Sequence, residues 1–187
     1  MSANAHRRDF TADRRILTLC ALALLIGLLG TGAAWVLLAL IRFFTNLFFF
    51  QTLSLAEHAP AQHTLGAWVI VVPALGGLVV GLIARYGTDK IRGHGIPEAI
   101  EAILYRKSLL APKVAVLKPL ASGIAIGSGG PFGAEGPIIM TGGAIGSLFA
   151  QFLRLTADER KTLLVAGAAA GMTAIFGTPI AAVMLAV

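Results

Sequence analysis

The chain is short of charge, of cysteine and of aromatic residues. Of its 187 residues, 13% are charged, 7% are aromatic and 57% are hydrophobic. A soluble domain carries about 25% charged residues, so this composition excludes a cytosolic globular protein. Cys20 is the single cysteine, which excludes a secreted scaffold held together by intrachain disulfides. A chain of this composition is expected to fold in a lipid bilayer.

Patterns typical of metal, nucleotide and nucleic-acid sites are also missing. The histidines show no spacing typical of metal ligands, and the carboxylates are scattered, so neither a metal nor another cofactor is predicted. The glycine-rich stretch at residues 127–130 is not followed by the lysine and hydroxyl residue of a phosphate-binding loop. The net charge of +6 is not accompanied by basic stretches interleaved with stacking aromatics, so nucleic-acid binding is not predicted.

Long uncharged runs are what the sequence does contain. Residues 16–41 and 65–84 carry no formal charge, and each run is long enough to cross the hydrocarbon core as a helix. Four arginines precede the first run, whereas residues 51–64 contain no lysine or arginine. By the positive-inside rule, residues 1–15 form a basic cytoplasmic segment and residues 55–64 lie outside. The phenylalanines between positions 43 and 50 are predicted to pack or anchor the end of the first span.

A third apolar region is too long for a single span. Between Lys118 and Arg154 lie 35 residues with one formal charge, Glu135, more than a straight helix needs to cross about 30 Å at 1.5 Å per residue. The glycines and prolines of residues 127–137 predict where this helix breaks. Non-helical backbone is tolerated at membrane depth only where it is buried in protein or lines an aqueous cavity. Residues 127–136 are therefore predicted to line a cavity.

Three segments place a proline just before an apolar helical run. They are Gly93-His94-Gly95-Ile96-Pro97, Gly133-Ala134-Glu135-Gly136-Pro137 and Gly177-Thr178-Pro179, which precede predicted helices over residues 98–104, 138–153 and 180–187. Proline at the start of a helix loses no hydrogen bond, so each segment predicts a helix N-terminus. Such N-termini attract anions, and transporters use them in broken helices. The alternative is that glycine and proline only kink closely packed helices, the role predicted for Gly142, Gly143, Gly146 and residues 167–171.

An enzymatic alternative is an intramembrane serine hydrolase with Ser128 as nucleophile and His94 as base. Two features oppose it. His94 follows Arg92 in a charged loop, and Glu135, a costly residue inside a membrane, would have no role. The sequence therefore predicts a protein that is not an enzyme.

The ordered segments resemble the signature of the CLC family of chloride channels and chloride/proton antiporters. The residues concerned are Gly93 to Pro97 followed by Glu98, then Gly133 to Pro137 leading to Thr141-Gly142-Gly143, and Ala169-Ala170-Gly171 leading to Phe176-Gly177-Thr178-Pro179. The resemblance implies an all-α, polytopic membrane fold with broken and re-entrant helices, of which residues 16–187 are the first half of an inverted repeat. It also implies a homodimer in the lipid bilayer of a bacterial-type inner membrane, with one anion pathway per subunit.

The resemblance further implies a voltage-gated chloride channel, or alternatively a chloride/proton antiporter that also carries protons. The anion-binding residues carried over are His94, Gly95, Ile96, Ala134, Glu135, Gly136 and Pro137, with Glu135 as the gate or proton-transfer group. The family commonly has serine or proline at position 94 and lysine or arginine at position 134. The first departure leaves open a preference for nitrate, fluoride or another small monovalent anion over chloride. The second removes one source of positive potential near the pore, so a difference in conductance or rectification is expected.

The second half of the family's signature has no counterpart in this chain. The later anion ligands, a Gly-x-Phe-x-Pro element and a tyrosine, are absent, and the sequence stops at Val187 inside an apolar run. We therefore expect a fragment or a truncated reading frame. A nonfunctional remnant is the remaining alternative.

Overall fold

The computed structural model of the protein describes residues 15–186, and within that range the regular structure is entirely helical. This confirms the predicted all-α class. The predicted cytoplasmic segment lies almost wholly outside the described residues. Seven α-helices follow one another along the chain: α1 (Arg15–Thr45), α2 (Val71–Tyr86), α3 (Ile96–Tyr105), α4 (Pro112–Gly127), α5 (Glu135–Phe152), α6 (Ala157–Phe176) and α7 (Pro179–Ala186).

Two helical stretches of the described residues are long and apolar enough to cross a membrane, Arg15–Phe50 and Gly66–Tyr86. The first ends later than the uncharged run predicts, because α1 continues through Arg42 and passes into a π-helical turn, Asn46–Phe50. The Arg42 guanidinium donates to the Glu57 carboxylate at 3.0 Å, which satisfies its charge beyond the apolar run. Short 3-10 helices, Pro60–Gln62, Gly66–Ile70 and Asp89–Ile91, flank α2.

The loop after α1 folds back onto a buried asparagine. Asn46 is fully buried, and its side-chain amide donates to the carbonyl oxygens of Ser54 and Ala56, each at 2.8 Å. Phe49 is buried beside it, and the Phe50 ring lies 5.1 Å from the ring of His58. Phe49 and Phe50 thus pack against the loop, and Phe44 lies next to Gly123 and Gly127 of α4. Packing is one of the two roles predicted for these phenylalanines.

The predicted break in the third apolar region is confirmed. Helix α4 ends at Gly127 and α5 begins at Glu135, with non-helical backbone between them. Helix α5 starts three residues before its predicted start because a proline is tolerated throughout the first helical turn, where N–H groups lack intrahelical partners. Pro137 therefore lies inside that first turn, and the Ile138 N–H donates to the Ala134 carbonyl at 3.0 Å.

Helices α5 and α6 pack antiparallel through glycines. A Cβ atom on Gly142 would overlap the carbonyl oxygen of Gly167, and one on Gly167 would overlap the carbonyl of Gly142. Gly146 approaches the carbonyl of Leu163 in the same way. Because side chains here would push the backbones apart, the predicted packing role of these glycines is confirmed.

Helix α1 covers both α4 and α6. A Cβ atom on Gly30 would lie 3.5 Å from the Cβ atom of Ala170 on α6, and one on Gly123 of α4 would lie 2.9 Å from the Cβ atom of Leu40. At the start of both helices, Arg15 of α1 lies 3.2 Å from Glu159 of α6, so the two run parallel. The core that positions the site thus consists of α1, α4, α5 and α6.

Candidate functional site

Two of the three glycine-proline segments meet in space. The N-terminus of α3, at Ile96, follows a turn in which Gly93 and Gly95 have φ values of +89° and +105°. A Cβ atom on Gly95 would lie 2.6 Å from the carbonyl oxygen of Gly136, and one on Gly136 would overlap the carbonyl oxygen of His94. The backbones of the two segments are therefore in direct contact, which only glycine allows at positions 95 and 136.

A cavity of about 310 Å³ opens beside this contact. The turn before α3, the middle of α4 and the loop before α5 supply its wall, which includes Arg92, His94, Ser122, Ala125, Gly133 and Pro137. The sequence predicted that residues 127–136 line a cavity, and Phe132 and Gly133 do so. The volume exceeds that of several water molecules at about 30 Å³ each, so a hydrated small anion fits.

His94 and Glu135 are the two side chains of the predicted site that remain accessible. Both residues are exposed, and His94 lines the cavity directly. Glu135 lies in the first turn of α5, where the positive end of the helix dipole favours a carboxylate or a competing anion. Its carboxyl carbon would lie 3.7 Å from a Cβ atom on Gly133, which places the carboxylate next to the cavity wall.

The other predicted residues form the supporting backbone. Gly95, Gly136 and Pro137 are buried, whereas Ile96 and Ala134 are half-buried against apolar clusters. The N–H of Gly95 donates to the Glu98 carboxylate at 2.8 Å. That N–H group therefore already has a hydrogen-bond partner within the chain. The sequence did not predict this hydrogen bond.

Lys118 is the functional candidate that the sequence analysis missed. It is 2% exposed in the middle of α4, and its ammonium group donates to the carbonyl oxygens of Gly93 at 2.8 Å and Ile91 at 3.2 Å. The available signal was a lysine followed by proline inside an otherwise apolar helix, a costly placement for a charge. In the sequence analysis Lys118 served only to mark the end of an uncharged run.

Charges of both signs lie around the cavity. Arg92 lines the cavity, and Lys118 lies behind its wall. Farther along α3, the side-chain hydrogen bond from Arg106 holds the pKa of Glu101 below its usual range, and Lys90 acts in the same direction. Glu101 thus stays ionised and balances those two cations. Arg92 lies 3.8 Å from the Asp89 carboxylate, and the Lys118 ammonium is hydrogen-bonded to backbone carbonyl oxygens.

The third segment lies away from this cavity. Gly177 closes α6 in the left-handed conformation, at φ +63°, and its N–H donates to the Thr173 carbonyl at 2.8 Å. Helix α7 begins directly at Pro179, as predicted. The residues that line the cavity come from the other two segments and from α2 and α4.

The remaining chemistries find little support at this site. The Ser128 hydroxyl is buried and donates to the Ala125 carbonyl at 3.1 Å, so it is engaged with its own helix end. Among the residues that the structure describes, no group of three or more histidine, cysteine or carboxylate side chains could hold a metal ion.

Comparison with known proteins identifies relatives of the chain. The model of the family described as "Voltage gated chloride channel" matches residues 76–187, more than half of the chain. The chain is 32% identical over 116 residues to a putative chloride channel protein, ClcB-like, of Ralstonia nicotianae, which covers 60% of this chain and 27% of that protein. It is 34% identical over 122 residues to the H(+)/Cl(-) exchange transporter ClcA of Vibrio campbellii, with 65% and 26% covered.

A third relative agrees with these two. The H(+)/Cl(-) exchange transporter ClcA of Salmonella arizonae is 31% identical over 127 residues, which covers 66% of this chain and 27% of the transporter. The chain therefore spans about a quarter of the length of the curated relatives it matches. These relatives are named as channels and transporters, in agreement with the prediction that the chain is not an enzyme.

Proposed function

Because this chain belongs to the voltage-gated chloride channel family, we propose that it contributes to a transmembrane pathway for chloride. The observation that carries the proposal is the direct contact between two helix N-termini, at Gly95 and Gly136, beside a cavity of about 310 Å³. Helix N-termini carry unpaired N–H groups and a partial positive charge, so two of them beside one cavity form an arrangement suited to binding anions without covalent chemistry.

The anion-binding residues in this proposal are His94, Gly95, Ile96 and the segment 134–137. Because the Gly95 N–H is used by Glu98, Gly95 contributes the shape of the turn, and the first-turn N–H groups of α5 face the anion. Proline supplies no donor, so Pro137 fixes the helix start. The imidazole of His94 lines the cavity and can donate a hydrogen bond to the anion.

Glu135 distinguishes the two transport modes that we propose. An ionised Glu135 competes with chloride for the N-terminus of α5, and a protonated Glu135 leaves that N-terminus free for chloride. In a channel this exchange opens and closes the pathway, whereas in an exchanger the same carboxylate also carries a proton. Proton-coupled exchange is favoured by the exposed carboxylate beside the cavity wall and by two relatives named as H(+)/Cl(-) exchange transporters.

We also propose that the chain lies in a bacterial-type inner membrane with its N-terminus in the cytoplasm, as a homodimer. Basic residues gather at one end of the bundle, where Arg15 meets Glu159 and the Arg160 guanidinium donates to the Lys107 carbonyl at 3.1 Å. At the opposite end of α1, Arg42 is paired with Glu57. This distribution matches the positive-inside rule.

Anion binding and anion flux test the proposal separately. Isothermal titration calorimetry of the detergent-purified chain should show saturable chloride binding, and liposomes that contain an intact protein carrying these residues should release chloride when valinomycin removes the opposing voltage. A pH-sensitive dye in the same liposomes reports proton movement, which separates an exchanger from a channel. The control variant is Glu57→Gln, which removes the charge of a carboxylate in the loop after α1. Absence of both binding and flux would contradict the proposal.

A further inference from the structure

The turn that carries His94 is held from two sides by charged groups. From α4, the Lys118 ammonium donates to the carbonyl oxygens of Gly93 and Ile91, at 2.8 and 3.2 Å. From α3, the Glu98 carboxylate accepts the N–H of Gly95 at 2.8 Å. The two side chains also interact electrostatically with each other. The lysine thus satisfies the acceptors of the turn, and the glutamate satisfies its donor.

Such a turn needs external support. Gly93 and Gly95 have φ values of +89° and +105°, and glycine loses more conformational freedom on ordering than any other residue. The bonds to Lys118 and Glu98 are charge-assisted, which makes them shorter and stronger than bonds between neutral groups. Lys118 is only 2% exposed, and a buried charge of this kind is stable only when it is well hydrogen-bonded.

We propose that Lys118 and Glu98 form a charged clamp that positions His94 at the cavity, and that Lys118 is the positioning residue on which the clamp depends. Lys118 acts through the turn and does not itself touch the anion. Ala121 and Ser122, three and four residues later on α4, line the same cavity, so the lysine also places a fixed positive charge directly behind the cavity wall. The effect of the clamp on anions rests on the proposed function.

The test uses the whole chain in detergent and two independent measurements. Hydrogen exchange followed by mass spectrometry reports the stability of the turn over residues 92–97 and requires no anion. Calorimetry reports the affinity for chloride. The variants are Lys118→Met, Lys118→Arg and Glu98→Gln. The matched control is Lys113→Met, which removes an exposed lysine in the first turn of the same helix.

We expect Lys118→Met to accelerate amide exchange in the turn by about tenfold and to weaken chloride binding by a similar factor, the size of effect expected when a hydrogen bond to a charged group is lost. Lys118→Arg should restore part of both, because it retains the charge and the donors. Glu98→Gln should also accelerate amide exchange in the same turn. This variant provides the test if Lys118→Met fails to fold. Lys113→Met should change neither measurement.

The two readouts separate the failure of the clamp from the failure of the proposed function. Unchanged exchange at residues 92–97 in both Lys118→Met and Glu98→Gln would overturn the clamp. Accelerated exchange together with an absence of chloride binding in the unmodified chain would support the clamp as a structural device, and would contradict the anion pathway.

Discussion

The contact between Gly142 and Gly167 allows a quantitative prediction about stability. A Cβ atom at either position would overlap the carbonyl oxygen of the other residue, and a backbone oxygen cannot rotate away as a flexible side chain can. Gly142→Ala therefore forces α5 and α6 apart. Overpacking of a tight contact costs about 1–3 kcal/mol, and we expect a value near 3 kcal/mol here because both helices must move.

The matched control is Gly32→Ala on α1, where a Cβ atom would meet nothing within 4 Å. Both substitutions gain the same helix propensity, about 1 kcal/mol in favour of alanine. That gain cancels in the comparison, so the difference between the two variants measures the overlap alone. The free energy of unfolding is measured by titration of the purified protein with SDS in mixed micelles, followed by circular dichroism.

The double variant Gly142→Ala/Gly167→Ala sharpens the test. Once the helices have separated to admit one methyl group, the second methyl group costs less. The loss of unfolding free energy in the double variant should therefore be smaller than the sum of the losses in the two single variants. Full additivity, or a Gly142→Ala protein as stable as Gly32→Ala, would refute the close backbone contact on which the α5–α6 packing is argued.

Three further predictions concern the proposed pathway. In an intact protein, His94→Ser should alter the preference for chloride over nitrate, because a smaller hydroxyl group replaces the imidazole that lines the cavity; anion exchange in liposomes measures this, and an unaltered preference would place His94 outside the pathway. In an intact protein reconstituted in liposomes, Glu135→Gln should remove pH-dependent gating and any coupled proton movement while chloride flux continues, and wild-type pH dependence in that variant would contradict the gate. In a Cys20→Ala background, cysteine probes at Ser2 and Gln62 should react from opposite sides of the membrane, and labelling of both from one side would reverse the argument for a cytoplasmic N-terminus.

The sequence predicted the helical class, the first two spans and the break before α5. These follow from properties that are local in the chain, such as charge-free length and the position of glycine and proline. Helix α1 extends beyond the end of the uncharged run, which Arg42 limits in the sequence. The structure shows that Arg42 continues the helix and finds its partner, Glu57, fifteen residues later, a pairing that no local pattern reveals.

The candidate site was predicted in its two segments but not in its support. Gly95 and Gly136 are 41 positions apart, and their contact depends on how α3, α4 and α5 pack together. The role of Lys118 depends on the same packing, because its hydrogen-bond partners lie 25 and 27 residues earlier. Sequence patterns identify an unusual buried charge, whereas only the fold identifies what that charge holds.

The contact of Gly136 with the His94 carbonyl has a consequence for the speed of any gate. The start of α5 has no room to slide toward α3, so the backbone under Glu135 is a fixed platform. The exposed Glu135 side chain is free to swing about its own torsions, a motion of picoseconds to nanoseconds, whereas displacement of a whole helix takes microseconds or longer. We therefore expect the rate of opening to follow the supply of protons and competing anions, with no slow mechanical step in the scaffold.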